Sequence, residues 1–126
     1  MRSLLIGILL LTLGACGDEH GDVHVMFTVA PPASATAGTA FDVSWQVHNE
    51  SHDDLHHSEV RVCDGGDVLD CGLGDTSTYT SVTGTLSGDT YTASVALDTA
   101  AIYTVIAWCH VGEDPHVSDA YTVDAQ

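Results

Sequence analysis

The chain has 126 residues, with two Lys or Arg against eighteen Asp or Glu, a formal net charge of −16 and eight histidines. Such an acidic surface repels phosphate backbones and anionic headgroups, which excludes nucleic-acid binding and adhesion to a membrane through basic residues. At this length one domain is expected and not two.

The first fifteen residues read as an export signal. Arg2 supplies a positive start, Leu4 to Leu13 form an apolar run broken only by Gly7 and Thr12, and Gly14 and Ala15 are small. The run is far shorter than the roughly twenty apolar residues a spanning helix needs. Leu13-Gly14-Ala15-Cys16 resembles the lipobox of bacterial lipoproteins, which implies cleavage before Cys16 and acylation of that cysteine. The expected organisation is a lipoprotein signal peptide over 1–15, a lipidated cysteine and acidic tether over 16–22, and one domain over 23–126. The lipid on Cys16 would be the membrane contact, in the cell envelope and facing the periplasm or the cell exterior. Export also implies oxidising surroundings, so a disulfide is expected among the three remaining cysteines.

From Val23 onward the apolar period is two. Val23, Val25, Phe27 and Val29 alternate with His24, Met26 and Thr28 until Pro31-Pro32 stops the strand. Phe41, Val43, Trp45 and Val47 form a second strand, and Val60 and Val62 flank Arg61 in a third. Strands around Thr78 to Leu86 and Thr90 to Leu97 are joined by Ser87-Gly88-Asp89, a hairpin signal. Ile102 to Val111 is apolar on both faces, as a central strand would be, and Ala120 to Val123 closes the set. No segment carries helical periodicity with caps. About seven short strands in one domain predict an all-β, immunoglobulin-like antiparallel β-sandwich. Asp98 to Val105, which contains Tyr103, resembles the corner before strand F of that fold, where a tyrosine hydroxyl bonds back to the chain. The inter-sheet cysteine pair of immunoglobulins has no counterpart, because Val43, Trp45 and Val47 occupy strand B.

Tyr103, Val105, Ala107, Cys109 and Val111 are expected to face inward. Val60 and Val62 also face inward, which turns Cys63 outward. Cysteines on opposite faces cannot bridge within the required Cα separation of about 7 Å. Cys63–Cys71 is therefore the favoured disulfide, with Cys71–Cys109 as its main rival. Asp64, Asp67, Asp70 and Asp75 lack the ligand spacing of an EF-hand loop and read as turn residues.

Four histidines, His48, His52, His56 and His57, fall between the second and third strands, and His110 and His116 follow the long strand. In an immunoglobulin-like sandwich these two loops share one end, where Cys109 also lies. Imidazole and thiolate are ligands of zinc, copper, iron and nickel, so these seven residues form a candidate metal site. Glu50, Asp53, Asp54, Glu113 and Asp114 stand nearby to orient imidazoles or add oxygen ligands. Neither a zinc-finger nor a His-Glu-x-x-His spacing is present, and loop histidines are also simple solvated residues. Cys109 reads equally as a small buried hydrophobe.

His52 and His57-Ser58-Glu59-Val60, with Ala107-Trp108-Cys109-His110-Val111-Gly112, resemble the ligand segments of neelaredoxin-type superoxide reductases. In that immunoglobulin-like family four histidines and one cysteine hold iron. The resemblance implies a histidine and cysteine metal site. The histidine pair is one residue closer than in the family, Cys109 and His110 are adjacent, and the chain has no lysine for the open iron position. A superoxide-reductase-like redox enzyme therefore stands as a further alternative. Phosphate loops, dinucleotide fingerprints and the Gly-x-Ser-x-Gly elbow are absent. The function expected is a lipid-anchored module binding a transition metal, for trafficking, buffering or delivery, with no turnover required. The alternative is a metal-free module that touches a protein or glycan partner.

Overall fold

A computed structural model describes residues 22–65, 71 and 79–126. The expected signal segment over 1–15, Cys16, the expected tether before Asp22, and Asp67, Asp70 and Asp75 lie outside the described residues. The strands are β1 (Val23–Val29), β2 (Ser34–Ala35), β3 (Phe41–Asn49), β4 (Leu55–Asp64) and β5 (Thr80–Thr83). There follow β6 (Thr85–Ser87), β7 (Thr90–Val95), β8 (Ala101–Val111), β9 (Asp114–Val117) and β10 (Tyr121–Ala125). One sheet runs β1-β3-β7-β6; the other runs β2-β10-β8-β4-β5, with β9 also on β8. This is the immunoglobulin-like sandwich, antiparallel throughout except where β2 lies parallel to β10.

Alternation decides which side chains meet between the sheets. Val43, Trp45, Val60, Val105, Ala107, Cys109 and Val123 are fully buried in one core cluster, as the inward set read from β8 requires. The indole of Trp45 would be costly to bury with its N–H unmet. It donates to Ser58 Oγ at 2.7 Å, and that hydroxyl donates to the Trp108 carbonyl at 3.0 Å. The Tyr103 hydroxyl donates to the Thr99 carbonyl at 2.7 Å, which closes the expected corner. Cys63 and Cys71 are bridged, with Cα atoms 5.5 Å apart, and with Ile106 and Tyr79 they form a second small cluster on the outer face of the six-stranded sheet.

Three details differ from expectation. The strand read over Thr78 to Leu86 is two strands, because the chain changes sheets at Gly84: β5 pairs with β4 and β6 with β7. A Cβ on Gly84 would stand 2.5 Å from the Trp45 ring, so only glycine lets the backbone cross there. The closing strand expected over Ala120 to Val123 is β10, and an unexpected strand, β9, precedes it on the same neighbour, with Ser118 in the break between them. Its Oγ accepts the Ala107 N–H at 2.9 Å and so keeps the β8 ladder satisfied across the break. Finally, β4 begins at Leu55, which places His56 and His57 in a strand and not in a loop.

Candidate functional site

The outward row of β4 is His57, Glu59, Arg61 and Cys63, and that of β8 is Thr104, Ile106, Trp108 and His110. The register sets His57 opposite His110, Glu59 opposite Trp108 and Arg61 opposite Ile106. Between Leu55 and His57 the register shifts, so that β4 gains a residue against β8. A bulge of this kind sets two residues of one strand against one of the other and re-aims a side chain. Here it brings the His56 ring to 6.3 Å from the His110 ring, in addition to the directly opposed His57.

Behind these imidazoles lies a charged and aromatic stack. Glu59 Oε2 stands 3.4 Å from His57 Nε2, while Oε1 accepts from Arg61 Nε at 3.0 Å and faces Nη2 at 3.0 Å. The guanidinium lies between two rings, 4.0 Å from the Tyr79 centroid and 3.8 Å from that of Trp108. Trp108 stacks in turn on His110 at 5.8 Å and meets His57 at 6.2 Å. Glu59 and Arg61 are buried; His56 and His57 are exposed. Among the described residues the Trp108 Nε1–H is the buried side-chain polar atom left without a hydrogen-bond partner.

The seven expected ligands do not form one cluster. His56, His57 and His110 share the outer face just described. His48 is on the outer face of the other sheet, where its Nε2 lies 3.0 Å from Glu50 Oε1. His52 is exposed in the β3–β4 loop. His116 lines a cleft of about 310 Å³ at the end of the sandwich, with Asp22, Ser51, Asp53 and Asp114. The cleft is shaped by the tight β8–β9 turn, where Gly112 has φ 57° and its Cα approaches the Asp53 carboxyl so closely that a Cβ would lie 3.0 Å from it. Cys109 faces the core, fully buried, and burial pushes its thiol up to about 11. The Tyr91 hydroxyl is pushed up as well, first by burial and then by Cys109. Since Cys109 points inward and His57 and His110 point outward from the same sheet, one ion cannot touch all three. Among the described residues no three His, Cys, Asp or Glu side chains are already arranged to hold a metal ion.

Glu59, Arg61, Trp108 and Tyr79 were not singled out from sequence. Their signal was the outward half of the alternation: polar and aromatic residues on the solvent side of a strand whose inward half is apolar.

No protein-family model and no curated protein is significantly similar to the chain. Solved structures share its outline at low identity. One is the CARDB domain of the PF1109 protein from Pyrococcus furiosus in complex with di-metal ions, 17% identical, covering 86% of this chain and 90% of that one, with a TM-score of 0.49. The solution structure of the same domain is 18% identical, covering 82% and 94%, with a TM-score of 0.47. A superoxide reductase (neelaredoxin) from Ignicoccus hospitalis is 13% identical, covering 87% and 88%, with a TM-score of 0.45. Likeness at this level concerns the path of the chain and transfers no ligand.

Proposed function

We propose that the chain is a lipid-anchored, extracytoplasmic β-sandwich module that binds a transition metal through His56, His57 and His110. The observation that carries this reading is the β-bulge, which gathers three imidazoles on one accessible face. Glu59 stands behind His57 as carboxylates stand behind metal-ligating histidines elsewhere, orienting the ring. An ion with nitrogens at about 2.0–2.1 Å requires the exposed His56 and His57 rings to turn toward the half-buried His110. Cys109 is not in this ligand set. The anchor is supported by the resemblance of Leu13-Gly14-Ala15-Cys16 to a lipobox. Buffering or delivery of the ion fits such a surface site.

The test is metal content by elemental analysis of protein purified without tag or chelator, together with melting with zinc, copper, nickel or ferrous iron. Near-stoichiometric metal in the wild type, lost in His56→Ala/His57→Ala, is the expected result. Equal content in both proteins would remove this site.

A further inference from the structure

The outer face of the other sheet carries its own group of metal-ligating side chains. Asp22, just before β1, and His24 and Met26 on β1 point outward, and Gln46, His48 and Glu50 do so on and just past β3. The register sets His24 directly opposite His48 and Met26 opposite Gln46. One step further the Glu50 N–H donates to the Asp22 carbonyl at 3.0 Å, so Asp22 and Glu50 form the next opposed pair. Two imidazoles and two carboxylates thus occupy the corners of a square on one sheet face.

Its dimensions suit a shared ion. Opposed residues of an antiparallel pair hold their Cβ atoms about 4.5–5.5 Å apart, a span two imidazole rings can close on one metal. Each ring is at present turned along its own strand: His24 Nε2 lies 3.9 Å from Asp22 Oδ2, and His48 Nε2 lies 3.0 Å from Glu50 Oε1. All four side chains are more than 60% exposed, so nothing packed holds them in those rotamers. Met26, 57% exposed, adds a thioether beside the pair, where a strand's solvent face ordinarily carries a polar residue.

We propose that His24 and His48, with Asp22 and Glu50, form a copper(II) site that clips β1 to β3. Nitrogen and oxygen donors bind copper(II) most tightly of the divalent first-row ions, zinc included. The ion joins the outermost strand of its sheet to the neighbour that holds it. Because that strand leads directly from the tether, copper would fasten the sandwich where the chain leaves its anchor. This site lies on the opposite face of the sandwich from His56, His57 and His110 and shares no ligand with them.

Copper(II) titration of the purified full chain, followed by electron paramagnetic resonance and calorimetry, tests the assignment. In His56→Ala/His57→Ala one copper is expected with a spectrum showing two imidazole nitrogens, and the wild type shows that species beside any copper held by His56, His57 and His110. In His24→Ala/His48→Ala that species is absent, while melting without copper is unchanged because both rings are exposed. His24→Ala alone weakens binding on the order of tenfold or more, since losing a ligand costs at least as much as losing the group that orients one. The same copper species in His24→Ala/His48→Ala as in wild type overturns the proposal, as does failure of the wild type to bind. Copper lost only from His56→Ala/His57→Ala overturns it too, and leaves the first site standing.

Discussion

Replacing Arg61 by methionine probes the stack beneath the histidines. Arg61 and Glu59 are 6% and 7% exposed, so the carboxylate depends on the guanidinium for the two N–H groups that face Oε1 at 3.0 Å. Breaking a buried pair from one side costs about 3–5 kcal/mol, because a charge is left without its partner. Contacts with the Tyr79 and Trp108 rings add about 0.5–2 kcal/mol each, and methionine recovers part of that by packing in the same slot. His57, 3.4 Å from the other carboxylate oxygen, still faces Glu59 and holds the cost of breaking the pair at its low end, so the whole loss is about 3–4 kcal/mol. Arg61→Lys fares little better, since an ammonium lacks the planar fork that spans Nε and Nη2. Urea unfolding followed by tryptophan fluorescence reads the difference directly. The double variant Glu59→Leu/Arg61→Met removes both charges and should cost less than Arg61→Met alone. A loss under about 1 kcal/mol for the single variant, or a double variant costing the sum of its parts, would refute the reasoning.

Two further outcomes follow from the core. Tyr103→Phe deletes the 2.7 Å bond to the Thr99 carbonyl and should lower stability by about 0.5–1.5 kcal/mol; an unchanged urea midpoint would show that the corner contributes nothing. The Cys109 thiol, raised from 9.0 to about 11 by burial, keeps its proton in the folded chain after the unfolded chain has released it. Stability is therefore insensitive to this group below pH 9 and falls as pH rises from about 9 to 11, with Tyr91 acting in the same direction. Cys109→Ala should flatten that decline. At pH 8 only about one thiol in a thousand is ionised, so rapid alkylation of the native protein would contradict the buried placement.

The alternation of apolar residues determined the sandwich from sequence, because side chains of a strand half-buried between two sheets must repeat with period two. It likewise set Cys109 inward and Cys63 outward, which excluded a bridge between those two and favoured Cys63–Cys71, while the choice against Cys71–Cys109 was made by the fold. Turn chemistry located the β6–β7 hairpin. What lay beyond it was the meeting of residues across strands. His56 and His57 read as loop residues because His and Asp carry no strand pattern, yet pairing with β8 extends β4 back to Leu55 and a single extra residue turns His56 onto the face of His110. His24 carried no role until the register set it against His48, twenty-four positions away. Gly84 marks where the chain leaves one sheet for the other, a choice made by the bulk of Trp45 beneath it. Parity is a property of one strand and is written in the order of its residues. Register and sheet exchange are relations between strands, and the packing of the folded core decides them.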